Sequence, residues 1–287
     1  MLDKNVACQL VFPASCRGPQ TKIVFLAVSV AECLRVENLC KGKRLHNISL
    51  RLHSGEIVGL AGLVGSGRTD LARAVFGVDS YDSGRIYLFG TAVRDLGASD
   101  MVDQGISLIP EDRKNQGLAL ILPVAENIVV SSLDRLFPRL FVSKNKENAI
   151  AMNYVEQLRI TTPSTSRLAQ YLSGGNQQKV VLAKWLCTKA KIFIFDEPTR
   201  GIDVGAKAEI HSFMNGLVKE GAAILMISSE LPEVIGMSDR IYVMREGRIV
   251  AEIPHTEATQ ERIIELAMGA DEVRKNRMQA ETMRSQQ

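Results

Sequence analysis

Two adjacent carboxylates, Asp196 and Glu197, follow an unbroken apolar run from Ile192 to Phe195. Such a run, without alternation, is the pattern of a parallel strand buried on both faces. Acids at the carboxyl end of such a strand sit where open α/β sheets place their ligands. There one of the two can hold Mg²⁺ through water, while the other orients an attacking water for phosphoryl transfer. A second apolar run, Ile57 to Ala61, leads into Gly62-Leu63-Val64-Gly65-Ser66-Gly67-Arg68-Thr69. That segment matches G-x-x-x-x-G-K-[ST] except that Arg68 stands for lysine. Its glycines let backbone N–H groups close around phosphates, the helix from Thr69 to Phe76 points its positive end at them, and Thr69 offers a hydroxyl to Mg²⁺. Arg68 keeps the charge but loses the compact ammonium, an exchange that is not conservative at close quarters. A third feature, Leu172-Ser173-Gly174-Gly175, turns into a helix from about Asn176, and its first free amides can also hold an anion.

These groups need a framework. Leu34 to Val36 and Leu45 to Leu52 alternate apolar and polar residues, so they predict antiparallel strands around a turn at Lys41-Gly42-Lys43. Residues 80–97 read as a hairpin, Gly105 to Ile109 as a short buried strand, and Ala223 to Ile227 as another. Ala125 to Leu133 and Lys144 to Leu158 read as helices. In the second, Ile150, Tyr154, Val155 and Leu158 form one apolar stripe that belongs to a core. Gly205 to Lys219 and Thr259 to Met268 are further helices, and a hairpin turns at Arg245-Glu246-Gly247-Arg248. His211 and His255 read as solvated surface residues. The run Ile23 to Ala31 is too short to span a bilayer and reads as an extra strand or an extension, less readily as a signal peptide. Residues 1–33 therefore carry no assigned function, and 271–287 read as a polar tail.

Bulk composition narrows the classes. The chain has 287 residues, 46% of them hydrophobic, enough for one large domain or two small ones. A net charge of +3 and an aromatic content of 5% argue against nucleic acid as a partner. The five cysteines, Cys8, Cys16, Cys33, Cys40 and Cys187, make no Cys-x-x-Cys pair and read as reduced thiols of a cytoplasmic protein.

The order LSGG, helix, apolar strand, Asp196-Glu197-Pro198 and Gly201-Ile202-Asp203 resembles the signature, Walker B and D-loop of ATP-binding-cassette ATPases. The resemblance spans about residues 34–269. It implies an α/β fold: a P-loop NTPase core with a mostly parallel sheet, an antiparallel β subdomain, and an inserted helical subdomain at about 112–185. With Arg68, Glu111-Asp112-Arg113, Asp196 to Gly201 and Ser228-Ser229-Glu230, the chain is most similar to the ATP-binding subunits of bacterial monosaccharide importers. Among those it looks like the second of two cassettes, within residues 34–270.

The same resemblance implies a ligand set and partners. ATP and Mg²⁺ would bind at Gly62, Gly65, Ser66, Gly67, Arg68 and Thr69, with Thr69, Glu111 and Asp196 on the metal side and Glu197 catalytic. Glu111 stands nearest to a glutamine that senses metal and transport partner, and Ser229 stands where a histidine meets the γ-phosphate. No aromatic near Val36 to Lys41 is available to stack on adenine, so the chain's own site looks weakened. Cassettes pair head to tail, and Ser173, Gly174 and Gly175 would complete a site on a partner cassette. The membrane permease would face Glu111 and residues 122–158, with Asn127 and Leu133 as positions for cross-linking. A periplasmic sugar-binding protein would be an indirect partner, and the subunit would sit peripherally on the cytoplasmic face of the inner membrane. Two other readings stand beside it: a truncated cassette that only binds, and a non-transport cassette protein. The second lacks a zinc-binding insert, a long coiled coil or a basic linker to support it.

Overall fold

The structure is a computed structural model that describes residues 31–138 and 141–269. Apart from Ala31, the expectations for the leader run and the polar tail lie outside those residues. The described chain opens with β1 (Glu32–Lys41), β2 (Leu45–His53), β3 (Ile57–Gly62), α1 (Arg68–Val75), β4 (Ser83–Leu88), β5 (Thr91–Val93), α2 (Ala98–Asp103) and β6 (Ile106–Ile109). Helices α3 (Val124–Val129), α4 (Leu133–Leu136), α5 (Lys144–Gln157) and α6 (Gly174–Cys187) come next. The last part contains β7 (Ile192–Asp196), α7 (Val204–Lys219), β8 (Ala223–Ile227), α8 (Leu231–Met237), β9 (Arg240–Arg245), β10 (Arg248–Pro254) and α9 (Gln260–Met268).

Two sheets result. The first is antiparallel, in the order β2-β1-β4-β5. Along β2 the residues Leu45, Ile48, Leu50 and Leu52 are buried while Asn47, Ser49 and Arg51 are exposed, which is the alternation of a sheet with one face on the core. The second sheet runs β10-β9-β3-β8-β7-β6, parallel throughout except for β10 at its edge. Every residue of β6, β7 and β8 is buried, as their unbroken apolar runs require. Register aligns the strand ends. Ile227 is level with Leu60 of β3 on one side and with Asp196 of β7 on the other. The segments after Gly62, Asp196 and Ile227 therefore emerge side by side at one carboxyl edge.

The helical part is stitched at its base. Backbone amides of Val124 and Ala125 donate to the carbonyls of Arg167 and Thr165, and those of Ala169 and Gln170 donate back to Leu122 and Leu120. The stripe on α5 packs as expected, with Leu158 in the main core and Ile150, Tyr154 and Val155 against it.

Three expectations need correction, and two helices are additional. The helix expected over Ala125 to Leu133 is broken into α3, a 3₁₀ turn at Val130–Ser132, and α4. The signature helix starts at Gly174 rather than near Asn176, because the Ser173 hydroxyl caps it by accepting from the Asn176 amide at 3.4 Å. Helices α2 and α8 were not anticipated. Finally, Asn127 does not face outward. It is 1% exposed, and its side chain bonds the backbone of Ala119, Leu122 and Pro123.

Candidate functional site

The loop after β3 is shaped by its glycines. Gly65 and Gly67 have φ of +84° and +100°, in the left-handed region that favours glycine. Gly62 lies where a Cβ would stand 2.5 Å from the Met244 carbonyl oxygen. The loop is held from behind: the Gly247 amide donates to the Ser66 carbonyl at 2.9 Å, and the His46 amide in turn donates to the Gly247 carbonyl at 2.8 Å. The start of β2 and the turn after β9 thus brace the loop, and α1 starts directly after it at Arg68.

Asp196 ends β7 and is 3% exposed, with Oδ1 buried and without a partner. Burial pushes its carboxyl up to about 6, with the Glu197 charge adding to that and the Thr69 hydroxyl and Arg68 opposing it. Glu197 follows in a left-handed conformation, φ +50°, held by its amide donating to the Ile227 carbonyl at 2.9 Å. The Ser229 hydroxyl donates to Glu197 Oε2 at 3.0 Å. Arg68, 8% exposed, donates through Nη1 to the Ser228 carbonyl at 2.7 Å, and its Nη2 lies 3.9 Å from Glu197 Oε1. Burial works against the Arg68 charge, while Glu197 and Asp196 support it.

A cleft of about 300 Å³ opens here, lined by residues 64–70 together with Glu111, Glu197, Arg200 and Ser229. The structure therefore brings Gly65, Ser66, Gly67, Arg68, Thr69, Glu111 and Glu197 together, with Asp196 next to Glu197 at the end of β7. Gly62 lies under the loop, against Met244. Ser173, Gly174 and Gly175 do not line this cleft. Glu111 pairs with the Arg200 guanidinium at the exposed rim of the cleft.

The ABC transporter family model matches residues 45–200, more than half of the chain. The chain belongs to the ABC transporter family. A ribose import ATP-binding protein of Rubrobacter xylanophilus is 50% identical over 240 residues, 83% of this chain and 48% of that protein. A ribose import ATP-binding protein of Bacillus licheniformis is 48% identical over 236 residues, 82% of this chain and 48% of the relative. The chain thus spans about half the length of the curated relatives it matches. Among solved structures, a nucleotide-free ATP-binding cassette from an ABC transporter superposes with a TM-score of 0.69 at 26% identity, covering 84% of this chain and 97% of the other. An ATP-binding cassette in its ADP conformation superposes with a TM-score of 0.67 at 25% identity, covering 85% and 97%. The fold is that of an ABC cassette.

Two groups in this ABC cassette escaped the sequence reading. His211 is only partly solvated: its Nε2 lies 2.6 Å from Glu233 Oε1, which also accepts from the Thr199 hydroxyl at 2.7 Å. The Ser228 hydroxyl bonds the other oxygen of Glu233. Burial would raise the Glu233 carboxyl, but bonds from His211, Ser228 and Thr199 outweigh it and hold it low. This cluster ties the segment after the acid pair to α7, to the end of β8 and to α8. The second group is Arg113, which reaches the carbonyls of Arg200 and Gly201. No local pattern shows what either residue will bond, because their partners lie far away in the chain.

Proposed function

We propose that the chain is the ATP-binding subunit of an ABC importer for a monosaccharide, coupling ATP binding and hydrolysis to sugar uptake through a separate permease. The observation that carries this reading is the convergence, in one cleft, of an amide-lined glycine loop, a buried orphan carboxylate and a second carboxylate held by two neighbours. The names of the two ribose import relatives supply the sugar class.

The donor set fits Mg²⁺: a hydroxyl, a buried carboxylate oxygen lacking any partner, and room for phosphate oxygens and water. Thr69 and Asp196 would hold it, with Glu111 through water once released from Arg200. When bound, the ion supplies charge neutralisation of the phosphates. The loop amides and the α1 N-terminus bind the phosphates, and Glu197 orients the attacking water. Arg68 and Ser229 both touch Glu197, so the two departures from the family pattern converge on the one group that would activate water. This site is therefore the weak one, and slow.

The head-to-tail partner is a second cassette. Val64, Val204 and Tyr171 are 93%, 83% and 60% exposed, so apolar side chains project from the glycine loop, from the start of α7 and beside Ser173. A groove of about 400 Å³ lined by Phe76, Val102, Val130, Leu133 and Trp185 suits the permease. The indole Nε1 of Trp185 is buried there without a partner. No helix among the described residues is long and apolar enough to cross a membrane. On this reading the subunit would act peripherally at the cytoplasmic face of the inner membrane, with a periplasmic sugar-binding protein delivering sugar.

The test is nucleotide binding and phosphate release by the purified chain, with and without permease. Weak Mg-ATP binding and slow turnover, stimulated by the assembly and lost in Glu197→Gln, are expected. Absence of any nucleotide binding would refute the reading.

A further inference from the structure

Arg113 stands outside the nucleotide cleft yet touches two of the motifs around it. Its Nη1 donates to the Arg200 carbonyl at 3.0 Å and its Nη2 to the Gly201 carbonyl at 3.4 Å. The same guanidinium is pressed on Gly174, where a Cβ would lie 2.8 Å from Nη2 and 3.5 Å from the Gly201 carbonyl oxygen. Two glycines from distant segments thus flank one flat cation: Gly201 at φ +67° on one side and Gly174 at the helix start on the other. The next residue, Gly175, leaves only 3.0 Å between its Cβ position and the Cβ of Ala206 on α7.

Arg113 is itself anchored. Asp112 accepts from the amides of Lys114 and Asn115 at 3.1 Å each, capping the π-helical turn Arg113–Gly117. At the end of that turn the Gly117 carbonyl accepts from Lys184 of α6 at 2.6 Å. A planar fork with several donors suits two neighbouring carbonyls, whereas an ammonium acts as a single point charge.

We propose that Arg113 is a positioning residue that locks the Arg200–Asp203 loop and the Ser173–Gly175 corner into one unit. Both then meet the nucleotide of a partner cassette together, although Arg113 touches no nucleotide. The second part rests on the reading that the corner acts on a partner's nucleotide. Because Arg113 follows Glu111 by two residues, any shift of the loop after β6 is passed to both elements at once.

The test uses the full 287-residue chain. Arg113→Ala and Arg113→Lys are compared with wild type for binding of a fluorescent ATP analogue with Mg²⁺, for amide exchange, and for turnover in the assembled transporter. The alanine variant is expected to keep nucleotide affinity and KM within about twofold. Its amides at 173–176 and 200–204 exchange at least about tenfold faster, those of β7 are unchanged, and kcat falls at least about tenfold. The lysine variant keeps the charge without the fork and exchanges at least about threefold faster in both segments. It decides the matter if the alanine variant does not fold. Wild-type exchange, or loosening of one segment only, overturns the lock. Loosening of both segments with unchanged kcat overturns the positioning role, provided Ser173→Arg cripples turnover. If Ser173→Arg spares turnover while both segments loosen in Arg113→Ala, the lock stands and the trans-acting corner is the part that fails.

Discussion

Arg68 and Glu197 face each other beneath the glycine loop, Nη2 standing 3.9 Å from Oε1 while Nη1 is committed to the Ser228 carbonyl. A lysine at 68 would be too short to keep that carbonyl bond and would leave its ammonium for the phosphates. Losing the bond costs about 1 kcal/mol of stability. Arg68→Lys is therefore expected to lower the melting temperature slightly and to raise both Mg-ATP affinity and turnover several-fold. Phosphate release by the purified variant checks this. Turnover unchanged from wild type would show that Arg68 does not limit the site.

Ser229 donates to the other oxygen of Glu197. Replacing it with histidine, in the Arg68→Lys background, restores a ring nitrogen beside both carboxylate and phosphate. The double variant should turn over faster than Arg68→Lys alone, and Glu197→Gln in the same background should abolish the gain. A rate that survives Glu197→Gln would remove Glu197 from the chemistry.

Asp196 carries a stability cost. Its folded value of about 6 lies above the unfolded value near 3.8. The destabilisation is thus absent below pH about 4, grows through the interval, and is complete above pH about 6. Asp196→Asn should stabilise the nucleotide-free chain at pH 7 by about 3 kcal/mol, with the gain vanishing near pH 4, and should abolish the Mg²⁺ dependence of nucleotide binding. Thermal unfolding across pH reads the first part. A destabilised Asn variant at pH 7 would contradict the orphaned oxygen as the source.

Gly62 and Gly67 test the loop. A Cβ at 62 would stand 2.5 Å from the Met244 carbonyl oxygen, and one at 67 would stand 3.1 Å from that of Arg44 with φ at +100°. Gly67→Val should abolish nucleotide binding and cost about 2 kcal/mol through backbone strain. Titration with labelled nucleotide would decide, and wild-type affinity in Gly67→Val would take residues 62–69 out of the site.

Burial reassigns the positions for cross-linking. Asn127→Cys would forfeit the bonds to Ala119, Leu122 and Pro123 and should lower the melting temperature without yielding permease cross-links. Cysteines at Ser131 or Leu133, which line the groove beside Trp185, should cross-link. Cross-links confined to α7 would place the permease elsewhere.

The strands at 57–61, 192–195 and 223–227 are legible in the sequence because a strand buried on both faces must be apolar at every position. The glycine loop is legible for a related reason: positive φ and close approach demand glycine at particular places, whatever the rest of the chain does. Local pattern records an element's own burial and backbone conformation. It does not record which distant group a side chain will meet. That Arg68 turns to the Ser228 carbonyl, 160 residues away, depended on β3 and β8 being neighbours. That Arg200 takes up Glu111, that Arg113 holds the loop after the acid pair, and that His211 finds Glu233 depended likewise on how separate elements pack. Only tertiary structure sets such pairings, since each joins segments whose sequences are independent of one another.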